Sequence, residues 1–176
     1  MRTWILLLAS LPLLAKTPEW DRAHTLFLSS DFKQAAAVLE KASRKDVDNL
    51  LLLGESYMEL KKYSEAVDTF EKSTELAPKS SNAQLWLGRA WGRLAESNKL
   101  LGFGRARKAK SAFERAVELD PKNHEALDDL FEYYFEAPGI VGGGLDKAEA
   151  VAKRIAVLNP ERGERLLAKV ASERRK

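Results

Sequence analysis

The chain is predicted to be all-α, a solenoid of repeated helix pairs, on three observations. The set Leu50, Leu53, Gly54, Tyr57, Ala66, Phe70 and Pro78 returns further along as Leu87, Gly88, Trp91, Ala109, Phe113 and Pro121. The composition is 31% charged and 45% hydrophobic, with alanine, leucine, lysine, glutamate and arginine dominant, as long helices require. No stretch sustains the two-residue alternation of a half-buried strand.

Taken in order, the elements begin with Met1 to Ala15. Arg2 precedes an apolar run from Trp4 to Leu14, and Ala15 is followed by the polar Lys16-Thr17-Pro18-Glu19. That arrangement resembles a secretory signal peptide cleaved after Ala15, although Leu13 is larger than the small residue preferred there. The run is shorter than the roughly 20 apolar residues that span a bilayer, and Pro12 interrupts it. A hydrophobic first helix packed on the repeats is the alternative. The expected consequence is an exported protein, periplasmic or secreted, with no stable membrane anchor after cleavage.

Residues 16–46 read as a degenerate first unit on Ala23, Leu26, Phe32, Ala35, Leu39 and Ala42. Residues 47–80 form the clearest unit. Gly54 and Ala66 are small where two antiparallel helices press together, Leu50, Leu53, Tyr57 and Phe70 fall at helical spacing to fill the seam, and Pro78 ends the unit. Residues 81–123 repeat this with a longer middle. Gly54 and Ala66 are twelve positions apart but Gly88 and Ala109 are twenty-one, so nine residues are inserted between the helices. Residues 124–160 carry Leu127, Leu130 and Tyr134, then Ala148, Ala152, Ile155 and Pro160, with five residues inserted in a Gly-rich stretch. Residues 161–176 read as a C-terminal capping helix with Leu166, Leu167 and Val170 on one face, closing the apolar end that a repeat array otherwise leaves open.

The spacing W-x2-L-G-x2-Y, A-x3-F, P in a unit of about 34 residues resembles the tetratricopeptide repeat (TPR). The resemblance covers roughly residues 18 to 160 and implies about four helix-turn-helix repeats. It also implies that first helices line a concave groove holding an extended peptide or a partner helix. Transferred by register, the groove positions are Asp48, Leu51, Glu55, Met58 and Glu59 in the second unit and Asn82, Leu85, Arg89 and Arg93 in the third. The fourth supplies Glu125, Asp128, Glu132, Phe135 and Glu136. The rows alternate acidic, basic and acidic. This departs from the lysine and asparagine set of carboxylate-clamp TPRs, so that activity is not carried over. Arg89 and Arg93, one turn apart, are expected to present a paired basic site.

Little in the chain points to catalysis. There is no cysteine, which excludes disulfides and a lipidated cysteine anchor, and the two histidines, His24 and His124, sit in different units. Asp128, Asp129, Glu132 and Glu136 are spaced as a solvated or partner-facing helix surface. The Gly-rich stretch Pro138 to Gly144 before Lys147 lacks the Ser or Thr of a phosphate-binding loop and follows a helix. It is expected to be a tight turn using positive backbone angles, with Asp146 capping the next helix, and it resembles loops in other exported bacterial TPR proteins. The other insertion, read as a loop over Gly102 to Arg107, mixes Phe103 with Arg and Lys. Nucleic-acid stacking is one reading of it, but a solvated helix face with Lys110 paired to Glu114 accounts for the same residues. Both insertions should emerge on one edge of the solenoid and be neighbours.

The formal charge of +3 falls to +2 without Arg2 and decides nothing about partners. The expected function is a non-enzymatic interaction module or scaffold for a protein or peptide partner, with no cofactor, metal or nucleic acid. The alternative is an accessory or ligand-binding subunit of an envelope transport or assembly system.

Overall fold

The computed structural model describes residues 16–97 and 102–176. The Met1 to Ala15 segment lies outside the described residues. Nine α-helices run in order among them: α1 (Pro18–Leu28), α2 (Phe32–Glu40), α3 (Val47–Glu59), α4 (Tyr63–Leu76), α5 (Ser81–Glu96), α6 (Gly102–Leu119), α7 (His124–Glu136), α8 (Leu145–Leu158) and α9 (Pro160–Glu173). One 3-10 turn, Gly139–Val141, separates α7 from α8.

Local chemistry sets the helix starts. Thr17, Asp31, Asp46, Ser80, Asn123 and Asn159 each precede a helix, and each side chain accepts a hydrogen bond from a first-turn backbone N–H that would otherwise lack a partner. Pro18 and Pro160 stand in the first turns of α1 and α9, where a missing N–H does no harm. The turns joining α1 to α2 and α3 to α4 pass through Ser30 and Lys61 at φ of 62° and 58°, so the two hairpins share one geometry.

Each pair is sealed by a small residue against a ring. A Cβ on Gly54 would stand 2.5 Å from the Phe70 ring, and one on Gly88 would stand 2.6 Å from Phe113. Ala66 and Ala109, the small partners on the second helices, are fully buried. The core follows the chain as three clusters. Ala23, Ala35, Leu39 and Leu52 join the first two pairs. Ala66, Val67, Phe70 and Ala90 join the second to the third. The largest cluster gathers Leu85, Phe113, Leu127, Leu130, Phe131, Ile155 and Val170 at the C-terminal end.

First helices touch first helices in the series α1, α3, α5, α7, while adjacent second helices are splayed apart. The first-helix side is therefore the concave one. At the far end α9 packs on α8 and brings Val170 into the core, with Leu166 and Leu167 against it. Leu166, Leu167 and Val170 thus share one core-facing side, with Val170 buried and the two leucines half-buried.

Two expectations need correction. Gly102 to Arg107 is not a loop: it forms the opening turns of α6, which runs for 18 residues and continues the alanine spacing Ala106, Ala109, Ala112 and Ala116. The inserted residues mostly lengthen α5 and α6. Asp146 does not cap α8, because Gly144 holds that place with no side chain to offer, and Asp146 instead pairs with Arg174 of α9.

Candidate functional site: the concave groove

A groove of about 880 Å³ runs along the first-helix side. Met58 and Glu59 come from the end of α3, Trp86, Arg89, Gly92 and Arg93 from α5, and Asp129, Glu132, Tyr133 and Glu136 from α7. Lys61 and Tyr63 close it at the α3–α4 turn, and Phe113 reaches it from α6. Helical spacing explains why these side chains share one side: Arg89, Gly92, Arg93 and Glu96 recur at intervals of three or four on α5.

Arg89 is the hub. Its Nε donates to Asp129 Oδ2 at 2.5 Å and its Nη2 to Glu125 Oε2 at 2.9 Å, tying the third repeat to the fourth. Its guanidinium lies 4.7 Å from the centre of the Trp86 ring, which stacks in turn on Phe70. Burial alone would lower the guanidinium's pKa, but the hydrogen bonds with Asp129 and Glu125 hold it above its ordinary value. Burial also pushes the Asp129 carboxyl up, against the opposing pull of Arg89. Glu55 shares this neighbourhood without bonding to Arg89. Burial, reinforced by Glu125 and Glu59 and opposed by Arg89, raises its pKa to about 7. The cluster holds more carboxylates than its one guanidinium can neutralise.

Of the groove positions expected from register, Met58, Glu59, Arg89, Arg93, Glu132 and Glu136 line the cavity. Glu55 and Glu125 meet Arg89 beside it. Asp48 and Asn82 are exposed near the starts of α3 and α5, and Leu51 packs half-buried on the core. Four expectations change. Leu85 is buried at 1% exposure and has no surface to offer. Asp128 is bound by Arg162 of α9 at 2.7 Å, and Phe135 lies beneath Lys169 of the same helix at 4.3 Å, so both face the cap. Arg89 and Arg93 do not form a free basic pair, because Arg89 is held by Asp129 and Glu125 while Arg93 pairs with Glu96 at 3.2 Å. The register missed Asp129, Trp86, Tyr133 and Gly92. Asp129 differs from Asp128 by one position, about 100° around the helix, which decides whether a carboxylate meets α5 or α9.

The two insertions are neighbours, as their placement on one edge requires. Arg107 Nη2 donates to the Ile140 carbonyl at 2.9 Å. Gly142 and Gly144 adopt φ of 96° and 151°, and a Cβ on Gly143 would stand 1.8 Å from the Ala137 carbonyl oxygen. Lys147 donates to the Gly142 carbonyl at 2.8 Å and is occupied in bracing this turn. The basic stretch is likewise engaged: Arg105 donates to the Leu94 carbonyl, Lys108 lies 4.0 Å over Trp91, and Lys110 stands 3.7 Å from Glu114. Among the described residues, no group of three or more metal-ligating side chains is placed to hold an ion, and no helix is long and apolar enough to cross a membrane.

Comparison with known proteins agrees with this architecture. The family model described as anaphase-promoting complex, cyclosome, subunit 3 matches residues 19–73, and two tetratricopeptide repeat models match residues 51–99 and 88–123. No curated protein matches. Among solved structures, a thermophilic TPR protein of Thermus thermophilus is 20% identical, covering 88% of this chain and 80% of its own at a TM-score of 0.67. MamA is 20% identical over 87% of this chain and 94% of its own, at a TM-score of 0.64. The second TPR domain of human RPAP3, solved with an HSP70 peptide, is 23% identical over 65% of this chain and 91% of its own, at a TM-score of 0.57. With repeat models overlapping along the first three helix pairs and a fourth pair built on the same plan, the chain belongs to the tetratricopeptide repeat family.

Proposed function

We propose that the protein is a non-catalytic interaction module that holds a segment of a partner protein in its concave groove. The observation that carries this is the groove itself, a continuous recess of about 880 Å³ walled by side chains of three successive first helices. Its walls combine rings and a thioether, Trp86, Tyr63, Tyr133 and Met58, with charged groups at fixed positions, the mixture that binds and orients a peptide. The RPAP3 domains, solved with HSP90 and HSP70 peptides, support the reading by likeness of fold. Neither the Gly-rich turn nor the basic stretch of α6 competes as a site, since their cations are engaged within the chain.

A photo-crosslinking amino acid placed at Met58 or Arg93 should capture a partner in the native source, whereas the same group at Lys72 on α4 should not. Equal capture from all three positions would rule the groove out.

The same reading places the protein outside the cytoplasm, on the strength of the short apolar run between Arg2 and Ala15. N-terminal sequencing of the native protein should find Met1 to Ala15 removed. Intact Met1 on the functional form would refute export.

A further inference from the structure

The charges in the groove do not balance, and the imbalance has a sign. Arg89 is satisfied by Asp129 and Glu125, and Arg93 by Glu96. Glu132, at the far wall, is met by Lys169 of α9 at 2.7 Å. Among the described residues, Glu55, Glu59 and Glu136 are matched by no ion pair, and the one remaining groove cation is Lys61 at the rim. Glu55 and Glu59 stand one turn apart on α3 and present their carboxylates on the same side. Across from them α5 carries Gly92, where an added Cβ would meet nothing within 4 Å. Glycine in a helix interior is destabilising relative to alanine, and here no packing contact demands it. Its effect is to leave the floor of the groove without a side chain at this position.

From this charge surplus and this open floor we infer that the groove takes a basic segment of a partner protein, with a lysine or arginine seated against Glu55 and Glu59 and a bulky apolar side chain over Gly92. The inference rests on the groove reading above and adds the chemistry of the occupant. A cationic head between two carboxylates gains charge-assisted hydrogen bonds, while its aliphatic stem lies along Met58. An acidic segment would meet like charge from Glu55, Glu59 and Glu136 together.

The test is calorimetric titration of the full chain at pH 8, where Glu55 is ionised, with three synthetic dodecapeptides: one of lysine, leucine and alanine, and its twins with glutamate or glutamine in place of lysine. The lysine peptide should bind at least tenfold tighter than either twin, about 1.4 kcal/mol. Glu55→Gln with Glu59→Gln should erase most of that preference, whereas Glu65→Gln with Asp68→Gln on α4 should leave it intact. A glutamate or glutamine peptide that binds as well as the lysine peptide overturns the inference. So does an equal loss in the α4 variant, which would mean diffuse attraction, or failure of all three peptides to bind at millimolar concentration. Gly92→Trp separates the two readings. If it abolishes binding of a peptide without lysine preference, the groove stands and the basic occupant falls. If lysine-selective binding survives the filled groove, the groove reading falls and this one with it.

Discussion

Gly54 and Gly92 both sit inside helices and do opposite things. Gly54 is required by contact, since a Cβ there would stand 2.5 Å from the Phe70 ring, which is fully buried and has nowhere to move. Gly54→Leu and Ala109→Leu should each lower stability by about 1 to 3 kcal/mol in urea unfolding, far more than a change at exposed Lys62. Gly92→Ala should instead raise it by about 0.5 to 1 kcal/mol, because nothing lies within 4 Å of the new methyl group. A lowered midpoint for Gly92→Ala would show a packing role that the geometry lacks. Gly54 was legible in the sequence because the repeat pattern marks it. Gly92 was not, since its meaning lies in the space in front of it. The Arg89–Asp129 bond was hidden for a related reason: it joins residues 40 positions apart and depends on the rotation of α7 against α5. Glu55 gives this scale its pH dependence. Its pKa of about 7 lies above the ordinary 4.5, so between those values the folded chain keeps a proton that the unfolded chain has released. The stability this group contributes is fully present below about 4.5 and is lost as pH rises through about 7. Glu55→Gln should therefore unfold at higher urea than wild type at pH 8, by on the order of 1 kcal/mol after allowing for partial solvent screening, with the gap closing toward pH 5. A gap that ignores pH would mean that Glu55 is solvated as an ordinary carboxylate.

At the scale of elements, the helix pairs were legible because three signals agree: a capping side chain, an apolar stripe of helical period, and a small residue at the seam. The misreading of Gly102 to Arg107 shows where that agreement fails. Extra residues between two repeat helices read as a turn, yet the alanines at 106, 109, 112 and 116 keep helical spacing back into the insertion. Period outweighed composition. Another seam, between α8 and α9, lay beyond the repeat pattern altogether. A Cβ on Gly163 would stand 2.3 Å from both Cα and Cβ of Ala156, so this glycine sets how closely the cap can lie on the last repeat. Backbone cannot step aside as a side-chain end can. Gly163→Ala should push α9 away from α8 and cost about 1 to 3 kcal/mol, read as a fall in thermal midpoint. If the midpoint holds, α9 docks less tightly than this contact requires.

On the scale of the whole molecule, the repeats are a row in which each unit touches its neighbours, so stability is local and the ends matter. The cap is held by both kinds of force. Val170 enters the same core cluster as Leu127, Leu130 and Ile155, while Arg162 grips Asp128, Lys169 grips Glu132, and Arg174 grips Glu149. Two of those carboxylates, Asp128 and Glu132, belong to α7, whose other face supplies Asp129 and Glu125 to Arg89. Removing α9 would therefore expose the apolar end of the fourth pair and leave Asp128 and Glu132 without their cations beside the groove. A chain ending at Asn159 should lose hydrogen-exchange protection in α7 and α8 first, with a weaker loss in α5 and α6 through Arg89, while α1 to α4 keep theirs because their cores are separate clusters. Protection lost evenly from α1 to α8 would contradict this, and would mean that the array unfolds as one block rather than from its uncapped end.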